Sequence, residues 1–139
     1  MRFEESVTIN APAERVWAIF SDVAKWPEWT PTMSAVERLD EGPIHLGCRT
    51  RIRQPKLPVA VWEVTELVEG EYFAWVARAP GIKTTGGHRV TQTPEGTVAT
   101  ATVVQEGPLG WLFGRLFAKL TREYIALEVE SLRKVSEQA

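Results

Sequence analysis

The chain is 139 residues long, 44% hydrophobic and 24% charged, with a net charge of -2. That suits one domain, over 1–139, with a real core, and it gives no basic footprint for nucleic acid. A single cysteine, Cys48, excludes an internal disulfide and any multi-cysteine metal site.

The first residues carry Glu4 and Glu5 where a signal peptide needs an apolar run, and no stretch nears the ~18 apolar residues of a membrane span. A cytoplasmic address is the default expectation. Six tryptophans, at positions 17, 26, 29, 62, 75 and 111, are the one unusual feature of composition.

Phe3, Val7 and Ile9 share one face at period two, which predicts a first strand. Ala11-Pro12-Ala13-Glu14 then opens a helix whose buried stripe is Val16, Trp17, Ile19, Phe20 and Val23. Asp22 is placed to cap a second short helical turn that Pro27 limits, ending in Trp26-Pro27-Glu28-Trp29. From Thr32 to Gln105 the period is two, punctuated by turns. Strands are predicted at Met33–Leu39, Arg49–Arg53, Val59–Leu67, Tyr72–Arg78, Lys83–Thr93 and Thr97–Gln105. Their short connections imply an antiparallel meander.

Gly107-Pro108 begins the final stretch, with Pro at a first helical position. Leu109, Leu112, Phe113, Leu116, Phe117, Leu120, Tyr124 and Leu127 follow at helical spacing. The spacing predicts one helix from Pro108 to about Val135, roughly 40 Å long. Arg115, Lys119, Arg122, Glu123, Glu130 and Arg133 fall on the opposite side. The expected fold is α+β: a curved antiparallel sheet of about seven strands wrapping a long C-terminal helix, with two short helices after the first strand.

Such a core is solid only if large side chains fill the gap between sheet and helix, roughly 10 Å wide. The later strands are poor in them: Ala77, Ala79, Thr84, Gly86 and His88, then either Ala99 and Ala101 or Thr100 and Thr102, according to which face is inward. A void is therefore expected there, and apolar voids accept apolar guests. The competing expectation is that Trp62, Phe73, Trp75 and the helix phenylalanines fill it.

Several residues carry a resemblance to a known family. They are Ile9-Asn10-Ala11-Pro12-Ala13-Glu14-Arg15-Val16-Trp17, Asp22, Trp26-Pro27-Glu28-Trp29, Trp62-Glu63-Val64-Thr65-Glu66, Trp75, His88, Gly96-Thr97 and Gly107-Pro108. Together they resemble the START-like (SRPBCC) superfamily, specifically its polyketide cyclase/dehydrase and lipid-transport group with the helix-grip fold, over essentially the whole chain. The resemblance implies a deep cavity between the sheet and the last helix, with its mouth near the short helices and loops. It implies no particular ligand, because fold does not settle function.

His88 is the best candidate for chemistry. In an apolar pocket a neutral imidazole could orient a carbonyl or phenol, or act as an acid/base; otherwise it bonds a neighbouring strand or faces solvent. Trp62, Phe73, Trp75, Leu112, Phe113, Leu116 and Leu120 are the expected lining. Trp62 and Trp75 serve equally well as plain core. Trp26 and Trp29 read as anchors of the short helices. Glu63 and Glu66 fall on opposite strand faces with no partner, and two distant histidines with one cysteine make no metal site. No phosphate loop or nucleotide fingerprint is present, so no cofactor is expected.

Three functions fit these residues. The first is binding of a hydrophobic guest, aromatic, polyketide-like or acyl. The second is a cyclase or dehydratase that shapes a reactive substrate with His88 as acid/base. The third is a co-chaperone-like interaction module with an occluded cavity. The protein would act as a monomer or homodimer. If Trp111 faces outward, the stretch around it gains a membrane or partner contact as an option.

Overall fold

The computed structural model describes residues 1–138; Ala139, the end of the expected domain, lies outside the described residues. In chain order the elements are β1 (Arg2–Ile9), α1 (Ala13–Ser21), a 3-10 helix (Val23–Glu28), β2 (Ala35–Arg38), β3 (Arg49–Arg53), β4 (Ala60–Val68), β5 (Tyr72–Ala79), β6 (Ile82–Thr93), β7 (Gly96–Glu106), α2 (Gly110–Leu116) and α3 (Ala118–Glu137).

The seven strands form one antiparallel sheet in the order β1-β7-β6-β5-β4-β3-β2. From β2 to β7 it is a meander, and β1 joins its far edge beside β7. The two edge strands, β1 and β2, are thus consecutive in sequence. The α1/3-10 segment has to span the sheet between them. A register shift between Val64 and Glu66 bends β4 against β5, and the sheet curls around the C-terminal helices in the helix-grip manner.

Pro12 stands just before α1 in extended conformation (φ -65°, ψ 148°), and α1 buries Val16, Trp17 and Phe20. The 3-10 helix is fastened from inside: the Trp26 indole, fully buried, donates to the Phe20 carbonyl at 3.0 Å. Period two in β3 turns Thr50 and Ile52 inward and leaves its three arginines outside. Arg15 on α1 donates to the Ser136 carbonyl at 2.6 Å and to the Gln138 carbonyl at 2.7 Å. A cation there satisfies carbonyls that the end of a helix leaves open.

The predicted single helix from Pro108 is corrected by the structure. It starts at Gly110, and Phe117 (φ -107°, ψ 14°) divides it into α2 and α3. The glycines of α2 set how closely it packs. A Cβ on Gly114 would stand 2.7 Å from Met1 Sδ and 2.8 Å from Gln105 Oε1, so α2 lies tight against the end of β7. The inward face of α3 is Ile125, Glu128, Val129, Leu132 and Ser136, whereas Leu127 is exposed. At 20 residues α3 is roughly 30 Å long.

Candidate functional site

A cavity of about 500 Å³ lies between the concave face of the sheet and α2/α3. Its walls follow from strand periodicity. Inward positions on β5 run Phe73, Trp75, Ala77, Ala79, and on β6 Val90, His88, Gly86, Thr84, so side chains shrink along both strands in the same direction. On β7 the alanines face in: Ala99 and Ala101 are buried. Facing them, α2 and α3 contribute Phe113, Thr121, Tyr124, Ile125 and Glu128. The space is left where small strand residues meet these side chains.

One end of the cavity opens to solvent past the exposed Val59, Val61 and Arg78. There the Tyr124 hydroxyl donates to the Pro55 carbonyl, tying α3 to the connection between β3 and β4. The other end is closed by Trp75, His88 and Glu128, each no more than 6% exposed. Gly86 makes this end possible: a Cβ there would lie 2.9 Å from the Trp75 indole nitrogen.

The His88 ring stacks on Phe73 at 4.2 Å between centroids, with Phe20, Trp26 and Trp75 edge-on around it. Its Nδ1 lies 3.2 Å from the Phe73 carbonyl. A carbonyl only accepts, which assigns the proton to Nδ1 and leaves Nε2 a lone pair. That nitrogen faces Glu128 Oε1 at 3.7 Å, beyond hydrogen-bond length. Burial pushes the Glu128 carboxyl up to about 8. Burial also draws His88 down to about 3, with the Phe73 carbonyl pulling the other way. The distance is that of an ion pair, yet at neutral pH both groups are uncharged: a carboxylic acid facing an imidazole lone pair. Glu128 Oε1 is buried with no hydrogen-bond partner.

Of the residues expected to line a site, Trp62, Trp75, His88 and Phe113 meet in this cavity. The Trp62 and Trp75 rings lie 5.8 Å apart along one wall. The other four do not reach it. Phe73 is fully buried behind His88. Leu112 and Leu116 are 42% and 72% exposed, and Leu120, half-buried, lies off the cavity. For the three leucines the predicted stripe was one face off, since α2 turns Gly110 and Gly114 inward. Glu128 escaped that reading for the same reason, although its spacing to Ile125 and Leu132 marks a lone carboxylate on an apolar helix face. Trp111 is 58% exposed and faces outward beside Leu112. His45 sits in a loop with Nδ1 3.1 Å from the Pro43 carbonyl. Among the described residues no cluster of His, Cys, Asp and Glu could hold a metal ion, and no helix is long and apolar enough to cross a membrane.

No curated protein sequence matches the chain significantly. Solved structures do. A di-domain ARO/CYC protein from the steffimycin biosynthetic pathway superposes with a TM-score of 0.74 at 14% identity, over 98% of this chain and 50% of that one. A START superfamily protein from Mycobacterium smegmatis gives 0.73 at 18% identity, over 99% of this chain and 97% of that one. Ginseng major latex-like protein 151 from Panax ginseng gives 0.77 at 10% identity, over 99% and 98%. At such identities these likenesses establish the fold, and this chain spans half the length of the di-domain protein. The sequence itself matches the family model described as polyketide cyclase / dehydrase and lipid transport over residues 1–137, with the expected strand, short helices, meander and closing helix in place. The chain belongs to that family.

Proposed function

We propose that this protein encloses a hydrophobic small molecule between its sheet and its C-terminal helices. The observation that carries the reading is the cavity of about 500 Å³, walled by Trp62, Trp75, Phe113 and Ile125 and open at one end. Burying a guest's apolar surface there contributes about 25 cal/mol per Å², and the pre-formed walls need little ordering. At the inner end this wall gives way to the buried polar pair His88 and Glu128. Titration with an apolar dye, alongside native mass spectrometry of protein purified from cells, tests the reading. Saturable uptake at one site is expected, and a protein that takes up no apolar probe would refute it.

A second reading is favoured by one observation: His88, with its Nε2 unprotonated, lines the cavity with an acid beside it. In this reading the protein is a cyclase or dehydratase that folds a reactive polyketide-like chain in the cavity. His88 Nε2 takes a proton from the substrate, and Glu128 supplies one to a carbonyl oxygen. Turnover of a poly-β-keto substrate that survives His88→Ala unchanged would remove His88 from that role. The open cavity weighs against the interaction-module reading, which expected an occluded one.

A further inference from the structure

The polar atoms at the closed end of the cavity narrow what can meet them. His88 Nε2 is an acceptor, because Nδ1 is committed to the Phe73 carbonyl. Glu128 Oε1, 3.7 Å away, is buried without a partner. A direct bond between them is too long, so the imidazole lone pair and the buried acid each keep unmet hydrogen-bonding capacity at the closed end. Arg78 is the one basic side chain lining the cavity among the described residues, and it stands at the exposed mouth. The closed end therefore offers no cation to an ionised guest, and burying an unpaired charge is strongly unfavourable.

We propose that the guest carries a hydroxyl group (a phenol, enol or alcohol) at its buried tip, which donates to His88 Nε2 and accepts from Glu128. The assignment rests on the enclosed-guest reading and specifies which end of the guest goes in first. Burial keeps Glu128 in its acid form, which makes it the donor of the pair. Other head groups leave something unmet. A ketone or ether accepts from Glu128 but gives nothing to Nε2. A carboxylate brings charge against two lone pairs. An ammonium requires Glu128 to ionise among apolar neighbours. Among these head groups only the hydroxyl both gives and takes at a single atom.

Isothermal titration calorimetry at pH 7 with naphthalene, 2-methoxynaphthalene, 2-naphthol and 2-naphthylmethylamine separates these cases on the unmodified protein. The expected result is that 2-naphthol binds at least about tenfold more tightly than 2-methoxynaphthalene, because a buried acceptor left unpaired is costly. Glu128→Leu and His88→Phe should each bring that ratio close to one. Glu128→Gln keeps an N–H donor and should retain most of it. Equal binding of the naphthol and its methyl ether, or tightest binding of the amine, overturns the hydroxyl assignment and leaves the enclosed-guest reading standing. Failure of every member of the series to bind overturns both. The ligand comparison on the unmodified protein decides the matter even if a variant does not fold.

Discussion

The two ends of the sheet–helix space are built from the same strands and differ in almost every other respect. Toward α1 it is solid: Trp17, Phe20, Trp26, Phe73 and Trp75 contact one another in edge-on, stacked or tilted pairs, and all are at most 7% exposed. Toward α2 the same strands carry Ala77, Ala79, Gly86 and Thr84, and the space stays open. His88 and Trp75 stand on the boundary, touching the packed rings on one side and the cavity on the other. A fold can thus keep its stability and its binding volume in separate halves of one core. The aromatic half supplies packing, so the other half is free to remain empty.

Substitutions should expose that division. The largest effect is expected in the solid half. Phe73→Ala removes a fully buried ring that contacts Trp17, Phe20 and His88, and should cost about 3–5 kcal/mol in chemical denaturation. A loss below about 1 kcal/mol would mean that this half is not the packed one.

Next in size is a pH effect at the boundary. Glu128, held near 8 when folded against an ordinary 4.5, binds its proton more tightly in the native state. The stability this group contributes therefore falls as pH rises from about 4.5 to 8, by about 1.4 kcal/mol per pH unit. His88, held near 3, binds its proton less tightly when folded, so stability also falls as pH drops from about 6.5 to 3. Denaturation midpoints should peak between about pH 4.5 and 6.5. In Glu128→Gln the decline above the peak should vanish while the acid-side decline stays. A variant with the unchanged alkaline slope would show that Glu128 is not buried as a neutral acid.

Gly86→Ala sets a methyl against the Trp75 indole and should cost about 1–3 kcal/mol, with a shifted tryptophan emission. In the hollow half, Ala77→Leu fills existing space and should change stability by less than about 1 kcal/mol. It should nevertheless weaken apolar-dye binding several-fold. Unchanged dye affinity would place the guest elsewhere. Trp111→Ser, on the exposed face of α2, should stay within about 0.5 kcal/mol.

Much of this was legible in the sequence because it is local. Period-two strands, turn residues and Pro12 fixed where β1, α1 and the meander run, and short connections then left little choice of neighbours. The small residues at 77, 79, 84 and 86 announced the void. What could not be read was phase. The apolar repeat from Leu109 passes through Phe117 without a mark, and only the packing of Gly114 on Gln105 and Met1 shows that the helix changes course there. The buried face of α2 is Gly110 and Gly114, which a search for large apolar residues passes over, and the same face continued into α3 brings Ile125 and Glu128 to the wall. Phe73 was correctly read as inward but lies behind His88, a depth that strand periodicity does not encode.

The pairing of β1 with β7 has a consequence in time as well as in space. Ile9 finds Thr97, and Arg2 finds Val104, only after the whole meander between them exists. The first strand to be synthesised is thus among the last to be seated, and distant pairings of this kind make mixed and β-rich domains fold more slowly than helical ones of equal size. A nascent chain cut short before residue 97 would leave that strand an unclaimed edge.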